Sequence, residues 1–288
     1  MIAPWLYGPQ RVERLVLLRV AAPLAVLGFM SSRIVHADHW IGETGFSVPD
    51  LGGSWRQPIY LPPLPDAAAW SVVALMVVAG LATSAGLYTR SAAAVFAATL
   101  GYVALADRLA AFTVSKVSPV VMLVVCFSAA GARYGLDARR HARTRPDLTP
   151  PTHAPGGPVR FVQLLLPAFY SASGLCKARG DWLSRNDVLY THLHDSYQTA
   201  VSHWLANHLP AWGWGFAQWA TLCFEIGAPL WFALPWTRTP ALFYAVAMHL
   251  AIGLMFGPVI WFSLLMIVLL LSAYLPERVL LRLFARRG

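Results

Sequence analysis

The chain has 288 residues, 57% of them hydrophobic and 12% charged, with a mean hydropathy of +0.55. A water-soluble domain carries about 25% charged residues, so half that share excludes an ordinary soluble protein and leaves lipid as the main solvent. The formal net charge of +9 implies no nucleic-acid partner, because surplus Lys and Arg in a membrane protein collects in cytoplasmic loops.

In chain order, a short basic lead with Arg11 and Arg14 precedes a first span over Leu15–Ser31, interrupted by Arg19. Its apolar stretch is long for a signal peptide and closes on no small-x-small site, so a retained span is expected. A polar loop rich in Gly, Pro and Trp runs over Ser32–Asp66. Spans two and three follow over Ala67–Leu87 and Ser91–Ala106, and a polar step from Asp107 to Lys116 leads to span four, Val117–Ala130. Residues 131–159 form a basic, Pro-rich linker. Span five is Arg160–Cys176, a polar segment runs over Lys177–Phe216, and spans six to eight are Ala217–Leu234, Pro240–Met255 and Ile260–Tyr274. These runs approach the roughly 20 residues a bilayer crossing needs. Residues 275–288 are a basic tail.

Within the polar segment, Val188–Leu209 places Leu189, Leu193, Tyr197, Val201, Trp204, Leu205 and Leu209 at helical spacing, with His194, Asp195 and Gln198 opposite. The expected element is one amphipathic helix lying on the outer face as a lid. With both termini inside, fourteen of the 22 Lys and Arg fall on inner segments and seven on outer ones, leaving Arg19 within span one. That asymmetry fits cytoplasmic termini in a cell membrane and turns Lys177 outward. The fold expected is an all-α polytopic bundle of about eight spans forming a single transmembrane domain over 1–288, with spans one to four in 11–130 and five to eight in 160–274.

Charged groups within spans are costly and face a bundle interior or a cavity. Arg19 and Glu225 are such groups, and His249 is a third polar group at span depth. They either pair with one another structurally or serve a site. The HLHD run, with His192, His194 and Asp195, is a weak metal candidate: residues two apart on a helix do not share a face, and no spacing matches a zinc template. No metal is expected. The three cysteines, Cys126, Cys176 and Cys223, lie in or beside apolar runs without a CxxC pair and read as small buried hydrophobes.

Lys177 remains. The stretch FYSASGLCKARGDWL takes an apolar run through Tyr170 and Gly174 into Lys177, Arg179, Asp181 and Trp182. One reading is a snorkelling anchor, its ammonium at the headgroups beside Trp182. The other is a lysine desolvated in a cavity under the lid, where burial disfavours the ammonium and frees the amine as a base.

YSASGLCKARGDWL resembles the tyrosine–glycine–lysine–aspartate–tryptophan signature of the HTTM membrane domain, shared with vitamin K-dependent gamma-carboxylase. Glu225 in TLCFEIGAPLW, His249 in AMHLAIGLMFGPVIWFSLLM and Arg19 in VLLRVAAPL resemble further landmarks of that domain, in the same order, over about Arg11 to Tyr274. The resemblance implies that Lys177 is the catalytic base that deprotonates a reduced naphthoquinone of the vitamin K or menaquinol type. Oxygen would then be consumed and a peptide or protein modified on the outer face. His249, Glu225, Tyr170, Asp181, Trp182 and Arg19 would line or order that site. Two departures separate the chain from the carboxylase. FTVSKVSPVV offers Ser118 where the carboxylase has a functional histidine, and no large lumenal domain is expected, since fourteen residues follow span eight. The short form is more similar to bacterial stand-alone HTTM proteins, some of which mature secreted toxic peptides with a partner protein. The alternatives are a non-catalytic membrane subunit for peptide maturation or export, with Lys177 and Asp181 as a structural ion pair, and a small-molecule transporter.

Overall fold

The computed structural model describes residues 2–45, 61–106, 112–194 and 198–285. Residues 46–60 of the first polar loop, Asp107, Asp195, Tyr197, Arg286 and Arg287 therefore lie outside the description. Among the described residues the secondary structure is helical apart from one two-residue strand pair and one isolated bridge. Among the described residues, six helices are long and apolar enough to cross a membrane: Val12–Ile34, Asp66–Ala85, Thr89–Ala106, Gly157–Arg179, Pro235–Met255 and Gly257–Tyr274. The protein is an all-α multi-pass membrane protein. Many large apolar side chains, such as Val78, Trp212, Phe243 and Leu254, are exposed, as expected where lipid replaces water. Two compact units, Met1–Pro158 and Val159–Gly288, divide the chain at the end of the basic linker.

The first unit begins with α1 (Ile2–Tyr7) and β1 (Gln10–Arg11), followed by α2 (Val12–Ile34), α3 (Ala37–Ile41), α4 (Asp66–Ala85), α5 (Thr89–Ala106), α6 (Thr113–Cys126), α7 (Leu136–Thr144) and β2 (His153–Ala154). The linker returns to the N-terminus, where β1 pairs antiparallel with β2, Gln10 opposite Ala154. Helix α2 buries Val12, Leu15, Leu18, Arg19, Ala22, Val26 and Met30 along one stripe, the period of a helix with one packed face. Helices α4 and α6 pack against α2, and α5 packs against α4 and α6. Span four starts a turn earlier than its apolar run, at Thr113, because Thr113, Ser115 and Lys116 are tolerated in the first turns, and it is only 14 residues long.

Arg19 is buried, 1% exposed, and finds its partners within its own unit. Its guanidinium donates to the carbonyls of Ala130 (3.1 Å), Arg133 (3.2 Å) and Tyr134 (2.6 Å), all within the first unit. A planar fork of donors suits several carbonyls at once, so Arg19 ties α2 to the turn between α6 and α7. Buried Glu13, one and a half turns earlier, takes Arg133 at 2.8 Å. Gly86 ends α4 in the left-handed region (φ 71) with its amide on Ala82 and Thr83 carbonyls, the usual glycine C-terminus. A Cβ at Gly86 would also lie 2.5 Å from Arg19 Nη1. The carboxylate of Asp137 accepts the amides of Tyr88 (2.9 Å) and Thr89 (2.8 Å) and the Thr89 hydroxyl (2.7 Å), capping α5 from α7. Burial works against this carboxylate, but the bonds from Thr89 and Tyr88 outweigh it and hold its pKa below the ordinary value.

The second unit comprises α8 (Gly157–Arg179), α9 (Val188–His192), α10 (Ala200–His208), α11 (Ala211–Ala233), α12 (Pro235–Met255), a 3₁₀ turn at Gly257–Val259, α13 (Ile260–Tyr274) and α14 (Glu277–Ala285). The expected lid helix over Val188–Leu209 is instead two short helices, α9 and α10. The break is chemical: Thr199 is an N-cap, its hydroxyl accepting from the Ser202 amide in a reciprocal capping box, and a cap starts a new helix rather than continuing one. The Thr199 hydroxyl also donates to the Leu254 carbonyl at 2.7 Å, which fastens α10 to the end of α12. Helix α11 starts at Ala211 directly after Pro210, six residues ahead of the expected span, and α12 starts at Pro235, where proline costs no helical hydrogen bond. The cysteines depart from expectation: Cys176 and Cys223 are exposed and Cys126 is half-buried.

Candidate proton-transfer site in the second unit

Three helices of the second unit each carry a polar group in a slot of their buried stripe. On α8 the stripe runs Val159, Val162, Leu166, Tyr170 and Gly174, and the next step of three or four residues is Lys177. On α11 it runs Trp214, Gln218, Leu222, Glu225, Ala228 and Phe232, and on α12 Leu242, Ala245, His249 and Gly253. The same 3.6-residue period that buries leucines elsewhere therefore aims Tyr170, Lys177, Glu225 and His249 inward.

Gly174 lets the first two of these helices meet. A Cβ there would lie 2.9 Å from the backbone nitrogen of Ile226 and 3.0 Å from the Glu225 Cβ, so only glycine permits this approach. One turn further on, Lys177 Nζ donates to Glu225 Oε1 at 2.5 Å. The glutamate side chain is 7% exposed and the lysine 26%. Lys177 Nζ also stands 4.8 Å from the centre of the Trp182 ring, a cation–π distance. The lysine is thus held between a carboxylate and an aromatic face, not free at the headgroups. Its carboxylate is Glu225; Asp181 is exposed and forms no ion pair with Lys177 among the described residues.

The second pair is Tyr170 and His249, with the tyrosine hydroxyl 2.7 Å from His249 Nε2. Phe224 stands edge-on to Tyr170 at 5.3 Å, and Phe262 edge-on to His249 at 5.5 Å. Tyr170 and Lys177 are two helical turns apart on one face, about 10 Å along α8. Two buried polar atoms of this cluster have no partner, Glu225 Oε2 and His249 Nδ1. Buried polar atoms are ordinarily satisfied, so this pair of vacant bonding positions is the feature of the cluster that points to a ligand.

Gln218 is the residue that sequence reading passed over. It is fully buried. Its amide nitrogen donates to the carbonyls of Trp182 (2.8 Å) and Arg185 (2.5 Å), and its oxygen accepts the Val188 amide (3.1 Å). One side chain on α11 thereby pins the 180–188 loop at three points and holds Trp182 over Lys177. Its signal in the sequence was its register, two turns before Glu225 on the same face. Arg185 and Asp187 close the loop with a two-pronged ion pair at 2.9 and 2.8 Å, and the hydrogen bond from Arg185 holds the Asp187 carboxyl below its usual range.

Arg19, the remaining site candidate, belongs to the first unit and to the carbonyl cluster described above. His192 and His194 each hydrogen-bond a backbone carbonyl one turn back, Val188 and Tyr190, at 2.7 and 2.9 Å. Ser118 donates to the Val114 carbonyl at 2.6 Å within α6. Cavities of about 370 and 390 Å³ occur in the second unit, the first beside Phe224, Trp231 and Tyr244, the second beside Asn186, Tyr190 and Trp214. Lys177 lines neither of them.

Comparison with curated proteins and with solved structures gives no match. The family description of the HTTM domain matches residues 12–275, a range that takes in α2 to α13 and all seven candidate residues. The chain belongs to the HTTM domain family.

Proposed function

We propose that Lys177 and Glu225 form a proton-transfer pair in an enzyme that modifies a peptide or protein, in the manner of vitamin K-dependent gamma-carboxylase. The reading rests on the 2.5 Å contact between Lys177 Nζ and Glu225 Oε1 beside two unpartnered buried atoms, Glu225 Oε2 and His249 Nδ1. A proton passed from Lys177 to Glu225 leaves a free amine, and that amine is the base. Tyr170 fixes one nitrogen of His249, so that the other is presented in a set orientation. Trp182, held by Gln218, covers the lysine and limits water.

A hydroxyl-bearing ligand fits the vacant Glu225 oxygen and His249 nitrogen. A reduced naphthoquinone has such hydroxyls, and when bound it would supply the electrons that reduce oxygen. Lys177, Glu225, His249 and Tyr170 would hold it. The cation asymmetry of the loops supports cytoplasmic termini in the cell membrane and an outward-facing site. The modification is oxidative or carboxylating; Ser118 in place of a histidine weighs against glutamate carboxylation as such.

A second reading, a non-catalytic subunit for maturation or export of a peptide, is favoured by one observation. Lys177 is already paired and lines neither of the two cavities described above. Oxygen uptake by the purified protein with a reduced naphthoquinone, in the presence of its partner proteins, separates the two. Uptake that Lys177→Ala abolishes, and that the stability-restored double variant Lys177→Met/Glu225→Leu also lacks, supports the enzyme. No uptake, with Lys177→Ala acting only on abundance, supports the subunit.

A further inference from the structure

The first unit contains a cavity of about 620 Å³ where α4 gives way to α5 and α6 to α7. Arg90, Arg140, His141 and Ser91 line it, together with Ser128 and Thr144, whose hydroxyls donate to the Val125 and Arg140 carbonyls. Its lining has one carboxylate, Asp137, and that group is committed to the amides of Tyr88 and Thr89 and to the Thr89 hydroxyl. The arginines are not neutralised. Arg140 bonds the uncharged Tyr88 hydroxyl at 2.9 Å and lies 5.4 Å from the centre of that ring. The Arg90 side chain makes no hydrogen bond or ion pair among the described residues. Two guanidiniums without a carboxylate partner among the described residues, lining one hollow with the Ser91 hydroxyl, suit a tetrahedral oxyanion, which arginine forks bind with charge-assisted bonds.

The level of the cavity narrows the source of that anion. It lies at the turn between two helices long and apolar enough to cross a membrane, Asp66–Ala85 and Thr89–Ala106. Where two spans end together, the polar neighbours are lipid headgroups, and basic pockets between spans take anionic ones. Helix α7 carries Arg139, Arg140 and Arg143 and buries none of its residues, so it leaves its cations at that surface.

We propose that this cavity binds the phosphate of an anionic phospholipid headgroup, with Arg90 and Arg140 as its ligands. Free phosphate shares the chemistry, and the test separates the two. The full chain in neutral detergent is titrated with short-chain phosphatidylglycerol, short-chain phosphatidylcholine and inorganic phosphate, following intrinsic fluorescence and thermal unfolding. Saturable binding of phosphatidylglycerol is expected, about tenfold or more tighter than phosphatidylcholine. Arg90→Gln should weaken it by about tenfold while the lipid-free unfolding temperature stays unchanged. Arg139→Gln, on the same helix but outside the cavity, should alter it less than about twofold. Equal affinity for the two lipids, or equal losses from Arg90→Gln and Arg139→Gln, would show a diffuse basic surface and overturn the site. Inorganic phosphate that binds as tightly as phosphatidylglycerol and displaces it would overturn the lipid assignment.

Discussion

Gly174 leaves no room for a side chain against the backbone of Ile226, and the approach of α8 to α11 at this point places Lys177 Nζ 2.5 Å from Glu225 Oε1. A Cβ at position 174 would stand 2.9 Å from the Ile226 nitrogen, and neither group can yield without moving a helix. Gly174→Ala is therefore expected to lower stability by about 1–3 kcal/mol, the cost of overpacking a well-filled interior. It should reduce any activity that depends on the Lys177–Glu225 contact. Thermal unfolding in detergent checks the first effect; an unchanged unfolding temperature would mean that the helices have room to spare.

The pair itself is expected to behave as coupled charges. With Glu225 7% exposed and Lys177 26% exposed, removing one partner leaves the other poorly solvated. Lys177→Met or Glu225→Leu alone should cost about 2–4 kcal/mol, somewhat below the range for wholly buried pairs because the lysine retains some water. The double variant Lys177→Met/Glu225→Leu should recover much of that loss, since an apolar pair requires no desolvation of charge. A double-mutant cycle in membrane-extracted protein measures the coupling, and strictly additive losses would show that the contact contributes nothing.

Gln218 should matter more for the loop than for the helices. Gln218→Leu keeps the volume but frees the Trp182 and Arg185 carbonyls and the Val188 amide. The expected loss is about 1–3 kcal/mol, the cost of leaving buried backbone groups unsatisfied. Trypsin should cut at Arg185 sooner in the variant than in the parent, while cleavage within the α7 cluster Arg139–Arg143 is unaffected. Equal cleavage at Arg185 would show that the loop is held by other means.

Asp137 predicts an acid-side loss of stability. Its folded-state pKa lies below the ordinary value, through the Thr89 and Tyr88 bonds that outweigh burial. The folded protein thus binds fewer protons here than the unfolded chain, whose aspartates titrate near about pH 3.9. The stabilisation is complete above that pH and fades as pH falls through the folded value. Between about pH 6 and pH 3 the parent should lose more unfolding temperature than Asp137→Asn, which lacks the titrating group. Parallel curves for the two proteins would refute a role for this carboxylate.

Much of this protein is written in local patterns. Eight apolar runs located eight helices, because burial in lipid demands long apolar segments whose backbone bonds close within the segment. The stripe through Tyr170, Gly174 and Lys177 was readable for the same reason: a helix carries its period wherever it packs. The chain's own capping chemistry, Thr199 with Ser202, overrode the apolar spacing that read as one lid helix, since a cap decides where a helix begins and periodicity does not. What no local pattern could supply was the choice of partners. Arg19 and Glu225 are both charges within spans, and composition alone invites pairing them. Packing instead gave Arg19 three carbonyls of its own unit, and gave Lys177 the carboxylate 48 residues away rather than the adjacent Asp181. Such pairings depend on which helix faces meet and how closely. Here a single hydrogen atom in place of a side chain, at Gly174, settles that distance, and only the assembled tertiary structure reveals what it faces.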